Sequence, residues 1–188
     1  MKATDLLIAE HKYILRALNV IEQMAVNVEH GRMPDDRDLE DVLQFLRLFA
    51  DEHHQVKEEA VLFPAMSAAT RAIPHGALRQ MLYEHDQERS LVEGLEDALR
   101  TDKPKDFSYY AHRLNHILRT HIYKEDHVLF QMADECFSPE EDEQCACELA
   151  EFEKERKGKL LNGVLERLSG LEWKYLGKGA SYSNVRSR

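Results

Sequence analysis

Little in this chain breaks a helix. Only 8 of its 188 residues are Gly and 5 are Pro, too few for the frequent turns of an all-β protein, so helix is expected throughout with little sheet. Cysteine is scarce as well: the odd count of 3 makes no disulfide framework and suits a reducing cytosol. No apolar run approaches the roughly 18 residues of a membrane span. The start Met1-Lys2-Ala3-Thr4-Asp5 lacks the apolar segment of a signal peptide. Positive charge is also short, 25 Lys and Arg against 35 Asp and Glu for a net charge of -10, which argues against nucleic acid or an anionic membrane as partner. A cytoplasmic protein with one buried core is expected, monomer or homodimer.

The chain does contain a pattern written twice. His54-Gln55-Val56-Lys57-Glu58 is followed by Val61-Leu62-Phe63, and His121-Ile122-Tyr123-Lys124-Glu125 by Val128-Leu129-Phe130. A Glu-His pair precedes each copy, Glu10-His11 and Glu84-His85. Duplicated metal-type ligands imply a site of two equivalent halves, and hence two metal ions.

Helical spacing of apolar residues places this pattern on long helices. The first begins near a capping Thr4, carries Leu7, Ile8, Ile14, Leu15, Leu18, Ile21 and Met24, and ends at Gly31 and Pro34. A second runs from Asp35-Asp36 to about Phe63, where Pro64 is expected to kink or end it. Pro74 fits the first turn of a third, lasting to about Arg100, and a fourth spans roughly Phe107 to Cys136. Ser138-Pro139-Glu140-Glu141 has the form of a helix start and opens a fifth, reaching about Leu168. The fold expected is all-α: an up-down-up-down four-helix bundle over residues 1–136 and an additional C-terminal helix within 137–176 packed on the bundle. The tail 177–188 is expected to be disordered.

Residues four apart share a helix face, so His54 with Glu58, and His121 with Glu125, each aim an imidazole and a carboxylate at one point. Their stripes continue in Val61, Leu62, Val128 and Leu129 and therefore face inward. His11 sits on the stripe of Leu7, Ile8, Ile14 and Leu15, and His85 follows Met81 and Leu82. Buried carboxylates need a partner charge, which metal ions supply. The repeat predicts one metal on His11 and His54, the other on His85 and His121, with Glu58 and Glu125 bridging. Imidazole and carboxylate without thiolate suits iron, with manganese or zinc as substitutes.

Glu10-His11, His54-x-x-Lys-Glu-Glu-x-x-Leu-Phe-Pro, Glu84-His85 and His121-Ile-x-Lys-Glu-Asp-x-x-Leu-Phe together resemble the hemerythrin-like (HHE) domains over about residues 4–136. That resemblance implies a four-helix bundle holding two iron ions as an oxygen-bridged, non-haem di-iron centre with carboxylates as the protein bridges. Oxygen-carrying members have a fifth His, four residues from another on the third helix. Here the positions four before and four after His85 are Met81 and Arg89. One iron then has an extra open position, or Tyr83 or Glu88 fills it. Carriers place the fourth-helix carboxylate five residues after its His, which here is Asp126; the internal repeat favours Glu125.

The other His leave this face. His53 is about 100° from His54 and His116 about 140° from His121 on a 3.6-residue helix; with His30, His75, His112 and His127 they are read as solvated or as lying behind the ligands. Lys57 and Lys124, one step off the inner face, are read as solvated or else as tuning the site, and Phe63 and Phe130 as core closing its end. Cys145 and Cys147, about 200° apart, cannot chelate one ion. The function implied is a di-iron protein that binds or reacts with a small diatomic or peroxide ligand: dioxygen, peroxide or nitric oxide. A catalase- or peroxidase-like enzyme, or an iron- or oxygen-responsive regulator acting through a partner, stays open beside it.

Overall fold

The computed structural model describes residues 2–69, 71, 75–156 and 159–177; these form six helices and, among the described residues, no strand. They are α1 (Ala3–Glu29), α2 (residues 36–68), α3 (His75–Arg100), α4 (residues 104–136), α5 (Pro139–Arg156) and α6 (Lys159–Leu176). Helices α1 to α4 are the up-down-up-down bundle. Thr4 near the start of α1 meets Asp134 near the end of α4, and Glu22 meets His112, so α1 and α4 are antiparallel. The pairs His53–Glu10 and Phe49–Tyr13 fix the same relation for α1 with α2, and Glu59–His85 and Arg47–Glu96 for α2 with α3.

Local chemistry explains two of the helix ends. Gly31 takes a left-handed φ of 73° after α1, and its N–H and that of Arg32 return to the carbonyls of Val28 and Asn27, a closure that favours Gly. Ser138 caps α5 reciprocally: the Glu141 N–H donates to Ser138 Oγ at 3.2 Å and the Ser138 N–H to Glu141 Oε2 at 2.7 Å.

Two expectations are corrected. Thr4 is not a cap: α1 starts at Ala3, and the buried Thr4 hydroxyl donates to Asp134 Oδ1 at 2.9 Å. Of the kink or end expected at Pro64, the end does not occur, since helix continues to Ala68. A widened i→i+5 turn over Glu58–Leu62 places Pro64 in the first turn of the segment Phe63–Ala68, where a missing N–H is tolerated. The C-terminal extension is described as α5 and α6, on either side of residues 157–158, which lie outside the described residues. Pro74 and residues 178–188, where a disordered tail was expected, lie outside the described residues.

The apolar core comes in two parts. One gathers Ile14, Leu18, Ile21, Phe45, Phe49, Leu114 and Leu118 with Val164, Leu168 and Leu171 of α6. The other gathers Leu7, Leu62, Met66, Met81, Phe130 and Ala133 with Cys145 and Leu149 of α5. Between the two lies a layer of buried His, Glu and Lys. A helix bundle that gives up its mid-section to charged groups needs a reason for it.

Candidate metal centre

Each bundle helix sends one imidazole into this layer. His11 of α1, His54 of α2, His85 of α3 and His121 of α4 converge, all buried, on the fully buried carboxylates of Glu58 and Glu125. Glu125 oxygens stand 3.2 Å from His11 Nε2 and 3.1 Å from His121 Nε2; Glu58 oxygens stand 3.6 Å from His54 Nε2 and 3.5 Å from His85 Nε2. The six residues form two overlapping quartets, His11–His54–Glu58–Glu125 and Glu58–His85–His121–Glu125, with donor atoms within 4.8 Å of one another. Both carboxylates belong to both quartets.

The halves match in detail. His11 meets His54 edge-on at 4.7 Å and 66°, and His85 meets His121 at 4.7 Å and 64°. Phe130 stacks on His11 at 5.6 Å and Phe63 on His85 at 5.9 Å, closing the site with rings. A widened turn begins at each inner carboxylate, Glu58–Leu62 and Glu125–Leu129; such turns recur at functional sites.

Every imidazole is held from behind by a carboxylate on its Nδ1. His54 contacts Glu10 at 2.9 Å, His121 contacts Glu84 at 2.9 Å, His85 contacts Glu59 at 2.7 Å and His11 contacts Asp126 at 2.7 Å. An ionised carboxylate only accepts, so Nδ1 donates and the Nε2 lone pair is left pointing inward, the arrangement of a metal-binding His. Each outer acid adjoins a ligand in sequence but serves a histidine of another helix: Glu10 precedes His11, Glu59 follows Glu58, Glu84 precedes His85 and Asp126 follows Glu125.

The interior is not satisfied by protein. His11 Nε2 and all four oxygens of Glu58 and Glu125 are buried without a hydrogen bond, and the Nε2 atoms of His85 and His121 stand only 3.0 Å apart. Two lone pairs at that distance require a proton or a cation between them. Buried unpartnered polar atoms are costly singly, and so many at one point fit a missing cation.

The protonation pattern shows what the chain does without one. Burial, then the charge of Glu125, raises Glu58 well above the usual carboxyl range. Burial opposes the charge on Glu125, but His121 and His11 hold it well below that range. Burial likewise works against His11 and His121, yet the hydrogen bond to Asp126 and the adjacent Glu125 carboxylate lift His11 to about 9, and the Glu125 charge raises His121. Burial lowers His54 to about 4 and also lowers His85. Among the outer acids, hydrogen bonds overcome burial to depress Glu10, Glu59 and Glu84, the last to about 2.

The remaining residues fall as follows. Asp126 sits behind His11, so Glu125 is the α4 carboxylate at the centre. Tyr83 is 58% exposed, takes a hydrogen bond from Gln87 and stands outside the centre. Glu88 is buried, 3.9 Å from His121 Nδ1, and burial pushes its carboxyl up to about 7. His53 is buried behind the centre, its Nε2 2.8 Å from Glu10. His30, His116 and His127 are exposed and His112 half-buried, while the His75 side chain lies outside the described residues.

Lys57 is not solvated. It is 0% exposed and donates to Glu10 at 2.5 Å and to Glu153 of α5 at 3.2 Å. Packing of α5 over α2 encloses it, which a single-helix face argument cannot see. Lys124, its counterpart, donates to Glu84 and is partly open to solvent. Sequence reasoning gave no role to Glu10, Glu59 or Glu84 behind the imidazoles, weighed Asp126 only as a rival to Glu125, and left these lysines between solvation and tuning. The signal was present, since the repeat duplicates the acids beside the ligands as well as the ligands.

No curated protein and no solved structure matches the chain. Residues 2–133, however, match the hemerythrin HHE cation-binding domain, and this span holds all four imidazoles, both inner carboxylates and the four acids behind them. With that match over most of its length, and a buried donor set that fits a cation, the chain belongs to the hemerythrin HHE cation-binding domain family.

Proposed function

We propose that the chain is a non-haem di-iron protein that binds or reacts with a small oxygen or nitrogen species: dioxygen, peroxide or nitric oxide. The observation that carries this reading is the pair of quartets sharing Glu58 and Glu125, whose inner atoms lack protein partners. His11 and His54 would hold one ion, His85 and His121 the other, and the two carboxylates both. Each quartet offers four donors, fewer than the six of an octahedral ion, which leaves positions for a small molecule. Iron held there supplies Lewis acidity and redox equivalents. The chain's own groups fix the rest. The outer acids set the imidazole tautomers, the buried lysine balances one of those acids, and Phe63 and Phe130 keep water from one side.

The test is metal content and visible spectrum of protein purified without added metal. Two irons per chain are expected. Glu58→Ala or Glu125→Ala should lose both ions together, and His116→Ala should leave the content unaltered. Turnover of peroxide without a partner protein would identify a reacting centre, and a reversible spectral change with dioxygen a binding one. A single zinc, or no metal after anaerobic iron loading, would overturn the proposal.

A further inference from the structure

The repeat that builds the centre fails at one place. By the register that equates His54 with His121 and His11 with His85, Gln55 corresponds to Ile122 and Glu88 to Ile14. Ile14 and Ile122 are buried in the apolar core and seal the α1–α4 side. On the α2–α3 side their equivalents are polar: the Gln55 amide donates to Glu88 Oε2, and both residues are buried. Glu88 Oε1 has no hydrogen-bond partner although the residue is only 3% exposed. A carboxylate and an amide where the duplicate has two isoleucines call for a use.

Above this pair lies a cavity of about 320 Å³ between α2 and α3, lined by Gln55 and Glu88 and backed by Leu114 and Leu118. It also carries the carboxylates of Asp51, Glu52, Glu93 and Glu96 against the guanidinium groups of Arg47 and Arg89. Both arginines are engaged, Arg47 with Glu96 and Arg89 with Asp51 and Glu59. With Glu88 the carboxylates outnumber the cations, and a cleft lined mostly by one sign of charge concentrates the opposite ion. Glu88 Oε1 reaches the outer side of the His121 ring, 3.9 Å from the Nδ1 that donates to Glu84.

We propose that this cavity is the path by which a divalent cation reaches the centre, with Glu88 as the transfer ligand between the acidic rim and the His85–His121 half. A hydrated ion exchanges water for the free Glu88 oxygen, then for the inner Glu and His donors. Hard and borderline divalent ions accept such oxygen ligands. Among the described residues the other sides are less suited to a cation: Ile14 and Ile122 close one, α5 covers the Lys57 side, Phe63 and Phe130 lie against the rings, and the partly open α3–α4 side presents the Lys124 ammonium group.

The inference rests on the metal-centre reading above, and its test separates the two. Metal-free protein is mixed rapidly with cobalt(II), and growth of the visible band is followed in the wild type, in Glu88→Gln and in the double variant Gln55→Ile with Glu88→Ile, which copies the sealed side. Glu22→Gln, on the far part of α1, controls for loss of one charge. Uptake should slow about tenfold or more in both Glu88 variants, with the final cobalt content and spectrum unchanged and the control at the wild-type rate. Glu88→Gln keeps the side-chain shape, so it tests the path even if the double variant does not fold. An unchanged rate in Glu88→Gln would overturn the path while leaving the centre standing. A lower final cobalt content would also overturn it, by making Glu88 a resident ligand. No cobalt uptake by the wild type would remove the metal-centre reading itself, and the path with it.

Discussion

Replacing Glu58 by methionine should stabilise the metal-free protein and destabilise the metal-loaded one relative to the wild type. Glu58 is fully buried, and neither of its oxygens has a hydrogen bond. Without a cation, burial and the nearby Glu125 charge keep it protonated, so folding strips a polar group of water and returns nothing. A buried unpartnered polar group costs about 1–3 kcal/mol, and Met fills the same unbranched space without that cost. For a chain of this length each kcal/mol moves the melting temperature by about 2–4 °C. The metal-free variant should therefore melt roughly 2–12 °C above the metal-free wild type.

The sign of the pH dependence is fixed. A carboxyl whose folded pKa lies above its ordinary value of 4.5 binds more protons folded than unfolded at higher pH, so its contribution to stability falls as pH rises. The variant lacks this loss, and its advantage should grow between about pH 5 and pH 8. With metal the order reverses. The wild type gains about 2.7 kcal/mol at a free metal concentration of 100 times Kd, whereas the variant has lost a donor from both quartets. Thermal melts of chelator-treated and metal-loaded samples read all of this. A metal-free variant that melts below the wild type would show that Glu58 has partners in solution. An equal rise on metal addition would show that it bridges nothing.

Three further outcomes follow from the same geometry. Metal uptake should release protons and tighten from about pH 6 to pH 9, because His11, raised to about 9, and His121, also raised, must lose theirs to bind; titration in two buffers of different ionisation enthalpy counts the protons, and a buffer-independent heat would refute the assignment. Lys57→Met should cost about 3 kcal/mol, near the lower end for a broken buried pair because His53 and His54 still reach Glu10, while Lys124→Met, at a partly open site, should cost about 1 kcal/mol or less. Equal urea midpoints for the two would contradict the burial difference. Gly94→Ala should cost about 1–3 kcal/mol, since a Cβ there would stand 2.6 Å from the Tyr110 ring; an unchanged melting temperature would mean that α3 and α4 sit farther apart.

Much of the bundle and the convergence of the inner six residues were legible because both depend on one periodicity. His54 and Glu58, like His121 and Glu125, stand four apart on stripes of Val and Leu, and stripes that share a core meet. What one helix cannot record was not legible. Lys57 is buried by α5, a helix that begins more than eighty residues later. Glu59 reaches His85, and Asp126 reaches His11, because antiparallel neighbours bring the flank of one motif behind the ligand of another. Pro64 read as a kink or a stop because a regular i→i+4 ladder was assumed, and the widened turn at Glu58–Leu62 removes that assumption.

The duplication makes the donors equivalent but not the chemistry, and the inequality has a physical origin. His11 and His85 are counterparts, yet the first is raised to about 9 and the second lowered. His54 is lowered to about 4 where its counterpart His121 is raised. Glu58 and Glu125 move in opposite directions. Two buried carboxylates cannot both stay ionised without a cation between them, so the metal-free chain resolves the conflict one-sidedly. Glu125 takes the charge, drawing the protonated His11 and His121 to 3.2 and 3.1 Å, while Glu58 stays protonated at 3.6 and 3.5 Å from the neutral His54 and His85. Protons on His11, His121 and Glu58 thus stand where metal charge would stand. On the di-iron reading proposed above, a pair of divalent ions would displace all three and let both carboxylates ionise, returning the site to the symmetry of its sequence. Only the groups behind the ligands then distinguish the two ions: Lys57, His53 and α5 on one side, and Glu88 with its cavity on the other.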